Sequence, residues 1–155
     1  MSIEKFIAEP GLEEALKPVK VSEQVLSIIE KHALEEYPFE CCGFLYGVDE
    51  GNRLIIVAKP VLNNVTENRQ RRFEISPGDY LAAERYALNH DITLLGIYHS
   101  HPDHPAVPSI HDFRQAVPFF SYFIASVSEK RVEATRSWQL IDGFFSEEKI
   151  KTTPY

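Results

Sequence analysis

The stretch His99-Ser100-His101-Pro102-Asp103-His104-Pro105-Ala106-Val107-Pro108-Ser109-Ile110-His111-Asp112 decides how the rest of the chain is read. It follows the apolar run Ile92–Tyr98, which has the length and content of a buried strand. Successive strand residues point to opposite faces, so His99 and His101 project to one side. Two imidazoles on one face, met by a carboxylate after a short loop, suit a metal of zinc type. His99, His101 and Asp112 would supply two nitrogens and one oxygen, leaving one position of a catalytic zinc for water. Ser109-Ile110-His111-Asp112 also has the spacing of a capping box, with Ser109 as N-cap, so the same pair starts a helix. Pro102, Pro105 and Pro108 stiffen the loop and lower the entropy cost of presenting the third ligand.

Upstream, Ser22 is a good N-cap, and Val25, Ile28, Ile29 and Ala33 recur at helical spacing until Pro38 ends the pattern. His32 beside that stripe reads as a satisfied or partly exposed histidine rather than a ligand. Phe39–Gly47 is an apolar strand with one acid, Glu40, at its start. Asp49–Asn52 is a turn and Arg53–Leu62 a second strand, giving a hairpin. The polar stretch Asn63–Arg72 is an exposed loop. Its Arg69, Arg71 and Arg72 form a basic spot that is either solvated or meets an acidic partner. Phe73-Glu74-Ile75 reads as a short strand, and Ser76-Pro77 opens a second helix.

Beyond the central stretch, Pro118 stops the short helix from Ser109, and Phe119–Val127 and Arg131–Ile141 read as two strands. Phe144–Ile150 is either an edge strand or a short helix. The expected fold is α/β, a single mixed and largely antiparallel β-sheet flanked by helices. Residues 1–20, with Pro10, Gly11 and Pro18, read as an N-terminal extension that packs loosely or against a partner. Residues 21–155 form the domain.

With 155 residues the chain suits one such domain. A formal net charge of -7 argues against a nucleic-acid backbone as main partner. No apolar run approaches the roughly 20 residues of a membrane span. The N-terminus has no basic region followed by a hydrophobic one, so a cytosolic protein with reduced thiols is expected. Asn64-Val65-Thr66 matches a glycosylation acceptor, which has meaning only in a secreted chain. Cys41 and Cys42 are neighbours that disulfide geometry does not readily join. They face opposite ways on a strand, so at most one could reach a site, and both read as small buried residues.

Hydrolysis at such a metal needs a base that takes a proton from water and returns it to the leaving amine. Glu40 is the candidate, because partial burial at the mouth of an apolar strand raises a carboxyl pKa towards the useful range. Ser109 is placed to donate a hydrogen bond to the oxyanion of a tetrahedral intermediate.

His-x-His-Pro, six residues, Ser, two residues and Asp resembles the signature of the JAMM (MPN-plus) zinc metalloprotease family. Upstream, Pro38-Phe39-Glu40-Cys41-Cys42-Gly43-Phe44-Leu45-Tyr46-Gly47 is similar to that family's glutamate segment. The resemblance covers roughly residues 22 to 141 and includes the order helix, hairpin, helix, strand, loop, helix. It implies a sheet of cytidine-deaminase-like architecture and one zinc held by His99, His101 and Asp112. It makes Glu40 the acid/base residue and Ser109 the residue that stabilises the intermediate. It also implies cleavage of peptide or isopeptide bonds, often after the C-terminal Gly-Gly of ubiquitin or ubiquitin-like proteins. The chain lacks the long insertions of eukaryotic deubiquitinating members and resembles compact prokaryotic ones. Those imply ubiquitin-like sulfur-carrier proteins, or their cysteine adducts, as partner, with an extended tail held by strand addition.

Rivals fail on particular residues. His99-Ser100-His101-Pro102-Asp103-His104 also matches the His-x-His-x-Asp-His of the metallo-β-lactamase fold, but no histidine follows His111 to complete that site. Asp103 and His104 then become loop residues, beside the substrate or at the surface, and His104 and His111 read as surface histidines rather than groups that support the site or respond to pH. The His-x-Glu and Pro-Cys-x-x-Cys segments of zinc deaminases are missing. A non-catalytic scaffold or a ubiquitin-like-protein binding module has no need to keep Glu40, His99, His101, Ser109 and Asp112 together.

Overall fold

The computed structural model describes residues 2–9 and 16–154; Pro10 and Gly11, quoted for the N-terminal extension, lie outside them. Strand β1 (Val19–Ser22) runs into helix α1 (Glu23–Glu36), where Ser22 Oγ accepts from the Val25 N–H at 3.2 Å. The hairpin β2 (Cys42–Asp49) and β3 (Arg53–Val61) follows, then α2 (Pro77–Asn89), which starts at the Ser76 cap with proline in its first turn. β4 (Thr93–Pro102), α3 (Ile110–Gln115), β5 (Ser121–Val127), β6 (Val132–Ile141), β7 (Phe144–Glu148) and β8 (Ile150–Thr153) complete the order.

All strands join one eight-stranded sheet in the order β7-β6-β5-β4-β2-β3-β1-β8. β4–β5, β1–β3 and β1–β8 are parallel and the other neighbours antiparallel, the mixed α/β sheet expected from the sequence. The two edge strands β7 and β8 are separated only by Lys149, so the sheet curls until its ends approach. Helix α1 lies against β1, β3, β4, β5 and β6.

The sheet has an apolar layer on each side. Val25, Ile29 and Ala33 of α1 pack with Val21, Cys41, Leu45, Ile55 and Phe123. Cys42, Phe44, Ile97, Ile124 and Trp138 form the other layer with Ala83 of α2. The adjacent cysteines therefore do face opposite ways. Both are free and buried, and burial pushes the Cys41 thiol up to about 12 and the Cys42 thiol higher still. Neither supplies a thiolate at neutral pH. His32 is satisfied within the α1 layer, with Nδ1 2.8 Å from the Tyr98 hydroxyl. Gly96 permits the close approach of β4 to β5, because a Cβ there would run into the Ser121 carbonyl.

Several expectations change. Phe73-Glu74-Ile75 forms no ladder, since its backbone groups are taken singly. Asn63 Oδ1 accepts from the Glu74 N–H at 3.1 Å, and Gln115 Nε2 donates to the Phe73 carbonyl at 3.0 Å. β2 begins at Cys42 rather than Phe39, because Phe39 N–H closes the α1 turn on Glu36 and Glu40 N–H donates to Arg69. β5 begins at Ser121, after Phe119 takes a left-handed φ of 89°. Phe144–Ile150, left open between strand and helix, holds β7 and the start of β8. Within the stretch read as an N-terminal extension, Ile3–Phe6 forms a 3-10 turn and the Phe6 ring stacks on Phe113 of α3 at 4.1 Å. Ala8 N–H donates to the Phe145 carbonyl at 2.8 Å. Among the described residues, no helix is long and apolar enough to cross a membrane.

Candidate active site

The pairing of β2 with β4 explains how residues some sixty positions apart come together. Its register sets Cys42 opposite His99. One step further, Ser100 N–H donates to the Cys41 carbonyl at 3.1 Å, and Ser100 Oγ accepts from Cys41 N–H at 2.8 Å. Another step brings Glu40 opposite His101, on the face that His99 already shares. Glu40, His99 and His101 each offer a ligand atom within 4.8 Å of the others, and all three are buried.

Asp112 reaches the same point from α3. Its Oδ2 is 3.2 Å from His99 Nε2 and 3.1 Å from His101 Nε2, and the two Nε2 atoms are 3.1 Å apart. The capping box expected from the sequence holds it there. Ser109 N–H donates to Asp112 Oδ2 at 2.8 Å, and Asp112 N–H donates to Ser109 Oγ at 3.1 Å. Helix start and donor presentation are one piece of geometry. The Ser109 hydroxyl hydrogen is left free to donate elsewhere.

Neighbours orient each imidazole. Pro105 carbonyl can only accept, so His101 Nδ1, 2.8 Å away, carries the proton and Nε2 turns its lone pair to the centre. His104, expected at the surface, is half-buried and stacks on His101 at 4.0 Å; Phe73 stacks on His99 at 4.4 Å. The loop between is tied down as well. Ser126 Oγ donates to the His104 carbonyl at 2.7 Å, Trp138 Nε1 to the Ala106 carbonyl at 3.0 Å and Tyr37 Oη to Asp103 at 2.6 Å.

The donor set fits a cation. Lone pairs on His101 Nε2 and an ionised Asp112 oxygen at 3.1 Å repel unless a proton or a metal lies between them. Neighbouring ligands around a tetrahedral zinc are separated by about 3.3 Å, given bonds of about 2.0–2.1 Å. Burial holds His99 below the ordinary histidine value despite Asp112, which keeps it the neutral ligand form. Burial works to raise Asp112 but is outweighed by the neighbouring His99 and His101, so it stays well below the usual carboxylate range. Glu40 goes the other way. Burial, reinforced by the charge of Asp112 and opposed by Arg71, raises it to about 9. Glu40 Oε1 and His99 Nδ1 are buried without a hydrogen-bond partner among the described residues.

Sequence reasoning missed Asn63, Phe73 and the stacking of His104. Asn63 Nδ2 donates to the carbonyls of Glu40 at 3.1 Å and Arg72 at 3.0 Å, clamping the acid's backbone to the following loop. An asparagine after a strand signals only a turn, so nothing in the chain order points to that clamp.

The profile of prokaryotic homologs of the JAB domain matches residues 22–141. The chain is 28% identical over 123 residues to the CysO-cysteine peptidase of Mycobacterium tuberculosis, covering 77% of this chain and 80% of that one. It is 32% identical over 105 residues to the desampylase of Haloferax volcanii, covering 67% and 74%. Tail tip assembly protein K of Escherichia phage N15 is 33% identical over 93 residues, covering 60% of this chain, which spans only 34% of that protein's length. Among solved structures, a protein from Desulfitobacterium hafniense superposes with a TM-score of 0.79 at 27% identity, covering 88% of this chain and 94% of its own. A JAB1/MPN domain protein from Archaeoglobus fulgidus, at 17% identity and a TM-score of 0.54, shares the fold over 86% of this chain and 98% of its own. Strands β2 to β6, Glu40 and the stretch from His99 to Asp112 all fall within the matched residues, and the chain belongs to the family of prokaryotic homologs of the JAB domain.

Proposed function

We propose that the chain is a zinc-dependent peptidase or isopeptidase that hydrolyses an amide bond after the C-terminal tail of a ubiquitin-like, sulfur-carrier-type protein. The observation that carries this is the meeting of His99, His101 and Asp112 at 3.1–3.2 Å beside a buried Glu40 of opposite protonation tendency. The peptidase names of the mycobacterial and haloarchaeal relatives support it. In this reading His99, His101 and Asp112 hold the zinc.

When bound, zinc lowers the pKa of a coordinated water from about 15.7 to near 7 and polarises the scissile carbonyl. Glu40 takes a proton from the attacking water and returns it to the leaving amine. Burial keeps Glu40 protonated at neutral pH in the metal-free pocket; a cation bound beside it would favour the carboxylate, which then accepts that proton and holds it until the amine departs. Ser109 donates its free hydroxyl hydrogen to the developing oxyanion, from a position fixed by the cap. A scaffold would gain nothing from a buried carboxyl with a partnerless oxygen, which costs stability.

Purified protein should carry one zinc per chain. Chelation should abolish cleavage of carrier-tail conjugates, followed by product mass, and added zinc should restore it. Protein that binds no stoichiometric zinc would overturn the reading.

Ser109→Ala should cost about 1 kcal/mol through the lost cap and lower turnover about 10²- to 10³-fold, whereas Ser109→Thr should recover most of both. Melting curves and steady-state rates separate the two effects. A variant that loses only stability would leave Ser109 as a cap and nothing more.

A further inference from the structure

We propose that Phe6 is a positioning residue for the metal site. The segment Ile3–Ala8 is a strap that holds α3, and through it Asp112 and Ser109, against the two histidines. The inference rests on the peptidase reading above. It gives the stretch expected to pack loosely or against a partner a part in that same centre.

Helix α3 cannot hold itself in place. It has 6 residues, well under the roughly 12–15 that an isolated helix needs in water, so its position comes from what packs on it. Consecutive helix residues point about 100° apart, so Phe113 leaves α3 on a different side from Asp112, which turns to His99 and His101. Phe113 supplies the anchor. Its ring stacks on Phe6 at 4.1 Å and meets the Phe145 ring edge-on at 6.0 Å. Phe145 is buried in the apolar layer that also holds Ile124 and Trp138. Phe113 is thus held between the core on one contact and the strap on the other.

The strap is fastened to the same core residue. Ala8 N–H donates to the Phe145 carbonyl at 2.8 Å, and Ile7 forms a parallel bridge with Phe145 and packs on the layer beneath. Phe145 therefore grips Phe113 with its ring and the strap with its backbone, which sets the spacing between the two. The other ties of α3 lie at its ends. The Ser109–Asp112 box stands at the start. Beyond the last turn, Gln115 Nε2 donates to the Phe73 carbonyl at 3.0 Å and Val117 N–H to Tyr122 Oη at 2.6 Å. The ring stack acts in mid-helix, where it resists a roll about the helix axis.

A roll is what the centre tolerates least. Asp112 Oδ2 stands 3.2 Å and 3.1 Å from the two Nε2 atoms. Metal–ligand distances hold to about 0.2 Å, and a reacting group misplaced by about 1 Å can cost about 10²-fold in rate. The strap is peripheral to the fold itself. Phe6 is half-buried, and among the described residues the strap's backbone meets the sheet only at Phe145. Loss of the Phe6 ring should therefore disturb the site more than the fold.

The test uses the full chain with zinc alone as ligand. Phe6→Ala should weaken zinc binding about 3- to 10-fold, the worth of an aromatic pair, measured by competition with a chromophoric chelator. It should lower kcat about 10- to 100-fold with KM little changed. Phe6→Tyr keeps the stack and should restore both. Ile150→Ala, partly buried on the α1 layer, should lower Tm yet leave the zinc Kd unchanged. Zinc binding by Phe6→Ala equal to wild type, or a loss shared by Ile150→Ala, would overturn the inference and leave the strap a source of stability only. Amide hydrogen exchange of metal-free protein gives a second readout. Phe6→Ala should speed exchange at Asp112, Phe113 and Ala116 about 3- to 10-fold while α1 and α2 keep wild-type rates. Unchanged exchange there overturns the inference whatever the zinc result. Wild type that binds no zinc counts against the peptidase reading alone, and the exchange difference still decides this one.

Discussion

Glu40→Gln is expected to lower kcat about 10²- to 10⁴-fold while leaving zinc content unchanged, because an isosteric amide keeps the packing but cannot carry the proton. The same substitution should stabilise the metal-free protein. A carboxyl raised from 4.5 unfolded to about 9 folded takes up a proton on folding between those values. Its contribution is fully present below pH 4.5 and is lost as pH rises through about 9. Glutamine does not titrate, so the gap in Tm between variant and wild type should open steadily over that window. The corresponding difference in stability should reach the order of a few kcal/mol near the upper end of the window. Thermal melts of metal-free protein at pH 5, 7 and 8.5, beside zinc analysis and steady-state rates, check the three parts. Unchanged turnover would remove Glu40 from its role; loss of zinc would make it a ligand instead of a base. A residue whose replacement raises stability and removes activity carries the usual mark of a site strained for function.

The sequence made the central stretch legible because its chemistry is local. His99 and His101 share a strand face by period alone, and Ser109 and Asp112 form a box whose spacing sets its own geometry. Glu40 was reached only through resemblance and pKa reasoning, since nothing local fixes the β2–β4 register that brings it opposite His101. The same gap hid Asn63 and Phe73. Both act between separate segments of the chain, through side-chain hydrogen bonds and a ring stack that no periodic pattern encodes. The closing of the sheet was equally unreadable. Lys149 is an ordinary residue between two short strands, and the pairing of β8 with β1 is a contact between chain ends. Strand β4 runs on through Pro102, past the apolar run that signals it, because parallel pairing with β5 continues through Pro102 and Val127.

Asp112→Asn should abolish the rise in Tm that zinc gives the wild type and lower turnover roughly 10³-fold or more, through the lost charge stabilisation. A ligand bound at a thousand times its Kd stabilises the fold by about 4 kcal/mol, so the missing rise is easily measured. Asparagine separates the two duties of this side chain. Its amide oxygen still accepts from Ser109 N–H, keeping the box, but it brings no negative charge to His99 and His101. Asp112→Ala loses both, so its metal-free protein should be less stable than the asparagine variant by about 1 kcal/mol, read as a lower Tm. Acid separates them again. Asp112 is held below its unfolded value of 3.8, so its stabilisation is present above that pH and lost as pH falls through the lower folded value. The asparagine variant should lack that part of the acid limb. Retained zinc-dependent stabilisation in Asp112→Asn would show that the two histidines hold the metal with Glu40 as the third ligand, the other trio this centre offers. Glu40→Gln would then lose zinc and Asp112→Asn keep it, the reverse of the result expected here.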